Sequence, residues 1–179
     1  MREKVNNLII SFINKSLTFE QLKKEIRKDA KNPELYVKGL FEEIIEYKDY
    51  KCLETALYIL WDLEKDQEFI DILHCLLLED WHTQYENIIH DLQYKANPLS
   101  VPYIKKSMMK KYNFLESYGT GTRQFINQCG HTLVDIGTQE AIDVIYELAN
   151  SQDPVLRDEM LYRIDSIEGK YEYERNFDL

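Results

Sequence analysis

Leu133-Val134-Asp135-Ile136-Gly137-Thr138-Gln139-Glu140-Ala141-Ile142-Asp143-Val144-Ile145 is the stretch that decides how this chain folds. It reads as a helix end, a tight turn and a new amphipathic helix. A few residues on, Ser151-Gln152-Asp153-Pro154-Val155-Leu156-Arg157 restarts another helix, with proline in the first turn where its missing N–H costs nothing. Helix pairs of this kind bury their apolar faces only by stacking on neighbours. The expectation is an all-α chain, a short right-handed α-solenoid that offers a binding surface rather than built-in chemistry.

The same grammar extends outward. Only 6 Gly and 4 Pro interrupt 179 residues, and no stretch alternates as a strand would. Towards the N-terminus the helical stripes are Val5-Leu8-Ile9-Phe12-Ile13, then Leu22-Ile26 behind a Thr18 cap, then Val37-Leu40-Phe41-Ile44-Ile45 behind Asn32-Pro33. Leu53 to Trp61, Phe69 to Leu77 and Tyr85 to Leu92 follow. Asn97-Pro98-Leu99-Ser100-Val101-Pro102 is a turn that launches a seventh helix. Three more are expected over about 123–136, 139–150 and 154–167, ten in all. Tyr118 to Thr122 reads as a flexible loop, and the segment after Gly169 is polar and aromatic.

The repeat has a period. Ile88-Ile89-His90-Asp91-Leu92, a turn, then Ser100-Val101-Pro102-Tyr103-Ile104 parallels Leu133-Val134-Asp135-Ile136, a turn, then Ala141 to Ile145. Asp91 and Asp135 stand 44 residues apart, which suits two-helix repeats of about 40–47 residues. On Asp135-Ile136-Gly137 before Ala141-Ile142, and on Asp153-Pro154-Val155 followed by Arg157, the stretch from about Asp80 to Ile167 resembles bacterial HEAT repeats. The resemblance implies one HEAT-like domain over 1–179, with divergent helices in 1–79 and clearer repeats in 80–168. It implies scaffolding or protein binding as the default, and it speaks for fold more than for activity.

Charge narrows the partner. The chain carries a net charge of −10, which argues against nucleic acid as the main ligand, because phosphates demand a basic footprint. Residues 42–91 hold 14 Asp/Glu against 3 Lys/Arg, a balance of −11, so the remainder sums to +1. Beside those carboxylates stand Tyr47, Tyr50, Tyr58, Trp61, Trp81 and Tyr85. Carboxylates steer a basic protein and rings supply anchor area. The candidate partner-binding residues are therefore Glu42, Glu43, Glu46, Trp61, Asp62, Glu64, Trp81, Tyr85 and Glu86.

Other chemistry is weaker. His82, Glu86 and His90 share a helical stripe, but i and i+8 lie about 12 Å apart, too far to aim at one metal ion. Asp80 or Thr83 is expected to cap that helix. Cys75 beside His74 points away from it on a helix, as Cys129 does from His131. The three cysteines read as buried thiols in a reducing compartment. Gly119 to Arg123 at a helix start offers an anion its amides, without the lysine of a P-loop. Lys105, Lys106, Lys110 and Lys111 form the one basic cluster. No apolar run reaches the length of a membrane span, and the N-terminus makes a poor signal peptide. The expectation is a cytoplasmic, non-enzymatic protein binder with no cofactor, no metal and no nucleic acid or membrane partner. An immunity protein against a basic bacterial toxin is one concrete form. The alternative is a nucleic-acid- or metal-dependent HEAT-like enzyme.

Overall fold

The computed structural model describes residues 2–29, 33–63, 67–117 and 121–169. Among these there is no strand, and eleven α-helices account for the fold. They run α1 Arg2–Ile13, α2 Phe19–Asp29, α3 Pro33–Tyr47, α4 Tyr50–Leu63, α5 Gln67–Leu77, α6 Tyr85–Lys95, α7 Val101–Met108, α8 Asn113–Ser117, α9 Gly121–Ile136, α10 Gln139–Leu148 and α11 Pro154–Ile167. The chain forms two compact units, Met1–Gln84 and Tyr85 onward.

Local chemistry explains the boundaries. Thr18 and Gln21 form a reciprocal capping box. The Thr18 amide donates to Gln21 Oε1 at 2.8 Å and the Gln21 amide to Thr18 Oγ1 at 3.3 Å, which satisfies two orphan donors at the start of α2. Asp49 caps α4 by accepting from the amides of Lys51 and Cys52, each at 3.2 Å. Asp153 does the same for α11, at 2.9 Å from Val155 N and 3.2 Å from Leu156 N, with Pro154 in the first turn. The decisive turn works as read. Gly137 closes α9 at φ +66°, a conformation that costs glycine no Cβ clash, and Thr138 accepts from Ala141 N to open α10.

One expected helix is two. The Asn97–Pro102 turn forms a single 3-10 turn over Pro98–Ser100, capped by Asn97 Oδ1 on the Leu99 amide at 2.9 Å. α7 then ends at Met108 and the five-residue α8 follows. Lys110 and Lys111 thus lie beyond the end of α7, the helix that carries Lys105 and Lys106.

In the first unit α1 packs on α2, α3 and α4, and α3 packs on α4 and α5. Ile9, Leu22, Phe41, Leu53 and Leu73 fill the space between them. In the second unit α9 is the hub. It packs against α6, α7, α8, α10 and α11, while α10 also meets α7 and α11. The two helices that the 44-residue period relates, α6 and α9, therefore pack together, as do their successors α7 and α10. The period does not equalise every position: Asp91 is buried and Asp135 exposed. Tyr85, Tyr112 and Phe125 make an aromatic cluster, with centroids 4.3, 5.8 and 6.0 Å apart. Offset and edge-on contacts of this kind add to the large area such rings bury.

Candidate functional site

In the first unit, α3 and α4 carry exposed carboxylates and tyrosines. α3 ends in Tyr47, the chain turns through Lys48 at φ +52°, and α4 begins at Tyr50. Tyr47 is 67% exposed and Tyr50 61%, figures that matter because large rings without burial are available to a partner. Glu42 and Glu46 are exposed one turn apart on α3. Tyr50, Glu54 and Tyr58 follow at i, i+4 and i+8 on α4, all exposed, so they form one stripe. Lys51 Nζ lies 6.0 Å from the Tyr50 ring centroid, within the range at which a cation is drawn to an aromatic face.

The expected site residues divide. Glu42 and Glu46 are exposed on α3, and Glu43 is half-buried beside them in sequence. The side chains of Trp61 and Asp62, and the whole of Glu64, lie outside the described residues, as do Asn32, Tyr118 to Thr120 and the tail beyond Gly169. Trp81 is half-buried and stands edge-on to His82, with centroids 5.2 Å apart. Its indole Nε1 is sealed without a hydrogen-bond partner, so this ring is only partly on offer. Tyr85 is corrected outright: it is 0% exposed inside the aromatic cluster, and core packing leaves it no surface for a partner. Glu86 is exposed, but in the second unit. Among the described side chains of the first unit, Tyr47, Tyr50 and Tyr58 are the exposed tyrosines. Their placement at helix ends and on the α4 polar stripe was the available signal.

The second unit holds a cleft of about 590 Å³ among α6, α9 and α11. Glu86 and His90 of α6, Arg123 and Gln124 of α9, and Glu159 of α11 line it. Glu159 is almost fully buried, and both its oxygens are used. Arg123 Nη1 donates at 2.6 Å and Asn127 Nδ2 at 2.8 Å. Gln93 ties α6 to α9, accepting from Gln128 and donating to Asp135.

The weaker chemistries can be placed too. His82 precedes α6 rather than lying on it. Its Nδ1 accepts from the Gln84 amide at 3.1 Å and its Nε2 faces the Leu76 carbonyl at 2.8 Å. A carbonyl only accepts, so the ring is neutral with its proton on Nε2. His82 orders this loop through these two backbone contacts. It is committed to the backbone, and among the described residues no three His, Cys, Asp or Glu side chains come together as metal ligands. His74 is buried while Cys75 is exposed, and Cys129 is buried while His131 is exposed, so neither pair meets. Cys75 departs from the expectation that all three thiols are buried. Burial, then the Asp49 carboxylate, pushes the Cys52 thiol up to about 12. Burial also raises Cys75 and Cys129. None is a ready thiolate nucleophile at neutral pH. Lys105 pairs with Glu147 at 2.7 Å, and Lys110 lies 5.1 Å from the Tyr112 ring centroid. Among the described residues no helix is long and apolar enough to cross a membrane.

No protein-family model, curated protein or solved structure matches the chain.

Proposed function

We propose that this chain is a non-enzymatic protein-binding module, a short right-handed HEAT-like α-solenoid whose acidic, tyrosine-bearing face docks a basic protein. The observation that carries the reading is the trio Tyr47, Tyr50 and Tyr58. Each is at least 60% exposed, and exposed carboxylates stand among them. Leaving three large rings in water forgoes the area they would bury in a core. A partner recovers it. Tyrosine is enriched among the residues that dominate binding energy, and carboxylates around it raise the rate of encounter with a cationic surface. The solenoid reading is supported by the packing of α6 on α9 and of α7 on α10, at the 44-residue period. The immunity-protein form of the proposal rests on size and on the −11 balance of residues 42–91, which suit the blocking of a basic toxin.

The test uses the purified chain as bait in a lysate of its source cell, washed at low and at high salt, with mass spectrometry of the eluate. Two variants run beside it: Tyr47→Ser/Tyr50→Ser/Tyr58→Ser, and Glu42→Gln/Glu46→Gln/Glu54→Gln. All these positions except the helix-end tyrosines are exposed helix sites, so folding is retained and circular dichroism checks it. One basic protein, released by salt and lost from both variants, is the expected result. Equal recovery by the variants, or no protein retained at low salt, refutes the proposal.

A further inference from the structure

Two arginines stand near one buried carboxylate in the second unit, and it pairs with only one of them. Glu159 pairs with Arg123. Arg163, four residues on along α11, is 4% exposed, and its Nε and Nη2 are sealed from solvent with no acceptor. Positions i and i+4 face the same way on a helix, so Arg163 stands one turn from the carboxylate. Nε–H and a neighbouring Nη–H on one edge of a guanidinium form the fork that grips a carboxylate through two parallel bonds. That fork is empty. The fold makes room for it, since a Cβ at Gly130 would come within 3.1 Å of Arg163 Cγ and 3.2 Å of Nε.

Arg123 is the opposite case. It bonds Glu159 through Nη1 alone, its side chain is 50% exposed, and it lines the cleft. It also sits in the first turn of α9, which starts at Gly121, where the helix dipole favours negative charge. His90 and Gln124 line the same cleft and add possible donors.

We propose that the cleft among α6, α9 and α11 binds an oxyanion, such as a phosphate or carboxylate group, on Arg123, and that Glu159 passes from Arg123 to Arg163 when the anion arrives. The incoming anion replaces Glu159 on the exposed arginine, and Glu159 fills the empty fork. Without Arg123 the buried Glu159 would keep only the neutral Asn127 donor, and an uncompensated buried charge would oppose binding; the waiting Arg163 removes that opposition. Arg163 is thus a positioning residue that never touches the ligand. Its loss of proton affinity on burial, offset by Tyr162 and Glu159, fits a guanidinium still lacking a full counter-charge.

The experiment titrates the full chain with inorganic phosphate and, separately, with acetate, reading affinity by calorimetry and the Arg163 Nε resonance by NMR. Phosphate is expected to bind saturably and to shift the Arg163 Nε signal. Arg123→Gln weakens binding about tenfold. Glu159→Gln tightens it by freeing Arg123. Arg163→Met weakens it several-fold, while the charge-matched Arg157→Gln and Glu147→Gln change it less than twofold. Acetate binding with the same pattern identifies a carboxylate as sufficient; phosphate binding alone identifies the phosphate group as the ligand. No saturable binding of either anion, or an unchanged response in Arg123→Gln, overturns the site. Saturable binding with an unmoved Arg163 Nε signal overturns the hand-over even if Arg163→Met does not fold.

Discussion

Two helical glycines should respond to the same substitution with opposite signs. Gly39 lies inside α3, and a Cβ built there meets nothing within 4 Å. Gly39→Ala therefore gains the helix propensity that glycine forgoes, about 0.8–1 kcal/mol, without a packing cost. Gly130 lies inside α9 against α11. Its Cβ would meet Met160 Cε at 2.9 Å, Arg163 Cγ at 3.1 Å and Arg163 Nε at 3.2 Å, all inside the roughly 3.5–4.0 Å of an optimal contact. The methionine terminus can swing away. The arginine stem is held in a nearly closed site, so α9 and α11 must part by a few tenths of an ångström. Overpacking of this kind costs about 1–3 kcal/mol. Set against about 1 kcal/mol of propensity, the net for Gly130→Ala is a destabilisation of about 1 kcal/mol. Urea unfolding followed by circular dichroism gives the midpoints, each read in the transition of its own unit. The midpoint should rise for Gly39→Ala and fall for Gly130→Ala. A rise in both would show that the α9–α11 contact is looser than the distances imply, and would refute the argument.

Asp91 predicts a pH dependence. Burial lifts its carboxyl from 3.8 to about 6, against the smaller opposing pull of His90 and Lys95. The native state then holds this proton more tightly than the unfolded chain, so its contribution is lost as pH rises from about 4 through 6. Asp91→Asn should stabilise by up to about 2–3 kcal/mol at pH 7 and change little at pH 4; equal gains at both would sink the assignment. Tyr85→Ala should cost about 3–5 kcal/mol by opening a cavity in the aromatic cluster, whereas exposed Glu86→Ala should stay within about 0.5 kcal/mol. Thermal unfolding of the pair separates a core ring from a surface carboxylate. Asp153→Ala should cost about 0.5–2 kcal/mol by stranding the Val155 and Leu156 amides, and a neutral result would show that Pro154 alone starts α11.

Much of the fold could be read from neighbours in the chain. The Thr18–Gln21 box, the Asp153–Pro154 start and the Gly137–Thr138 turn are local bargains between a side chain and the next few amides, and each is visible as a residue pattern. Helical periodicity located ten of the eleven helices. The eleventh, α8, is five residues long and too short to show a period. The acidic bias of residues 42–91 was equally plain. Which aromatic residues of that segment are exposed was not. Tyrosine has an apolar body and a polar tip, so the pattern that buries Tyr85 among Tyr112 and Phe125 looks like the one that leaves Tyr50 in water.

By itself, then, the sequence determined ten of the eleven helices, several of their caps and the sign of the charge, because those depend on contacts a few residues long. Only the tertiary structure decided which rings are core, that Arg123 reaches Glu159 across 36 residues, and that Arg163 lies buried with its fork empty. Such outcomes depend on which helices meet, and α6, α9 and α11 meet through packing that no local pattern encodes.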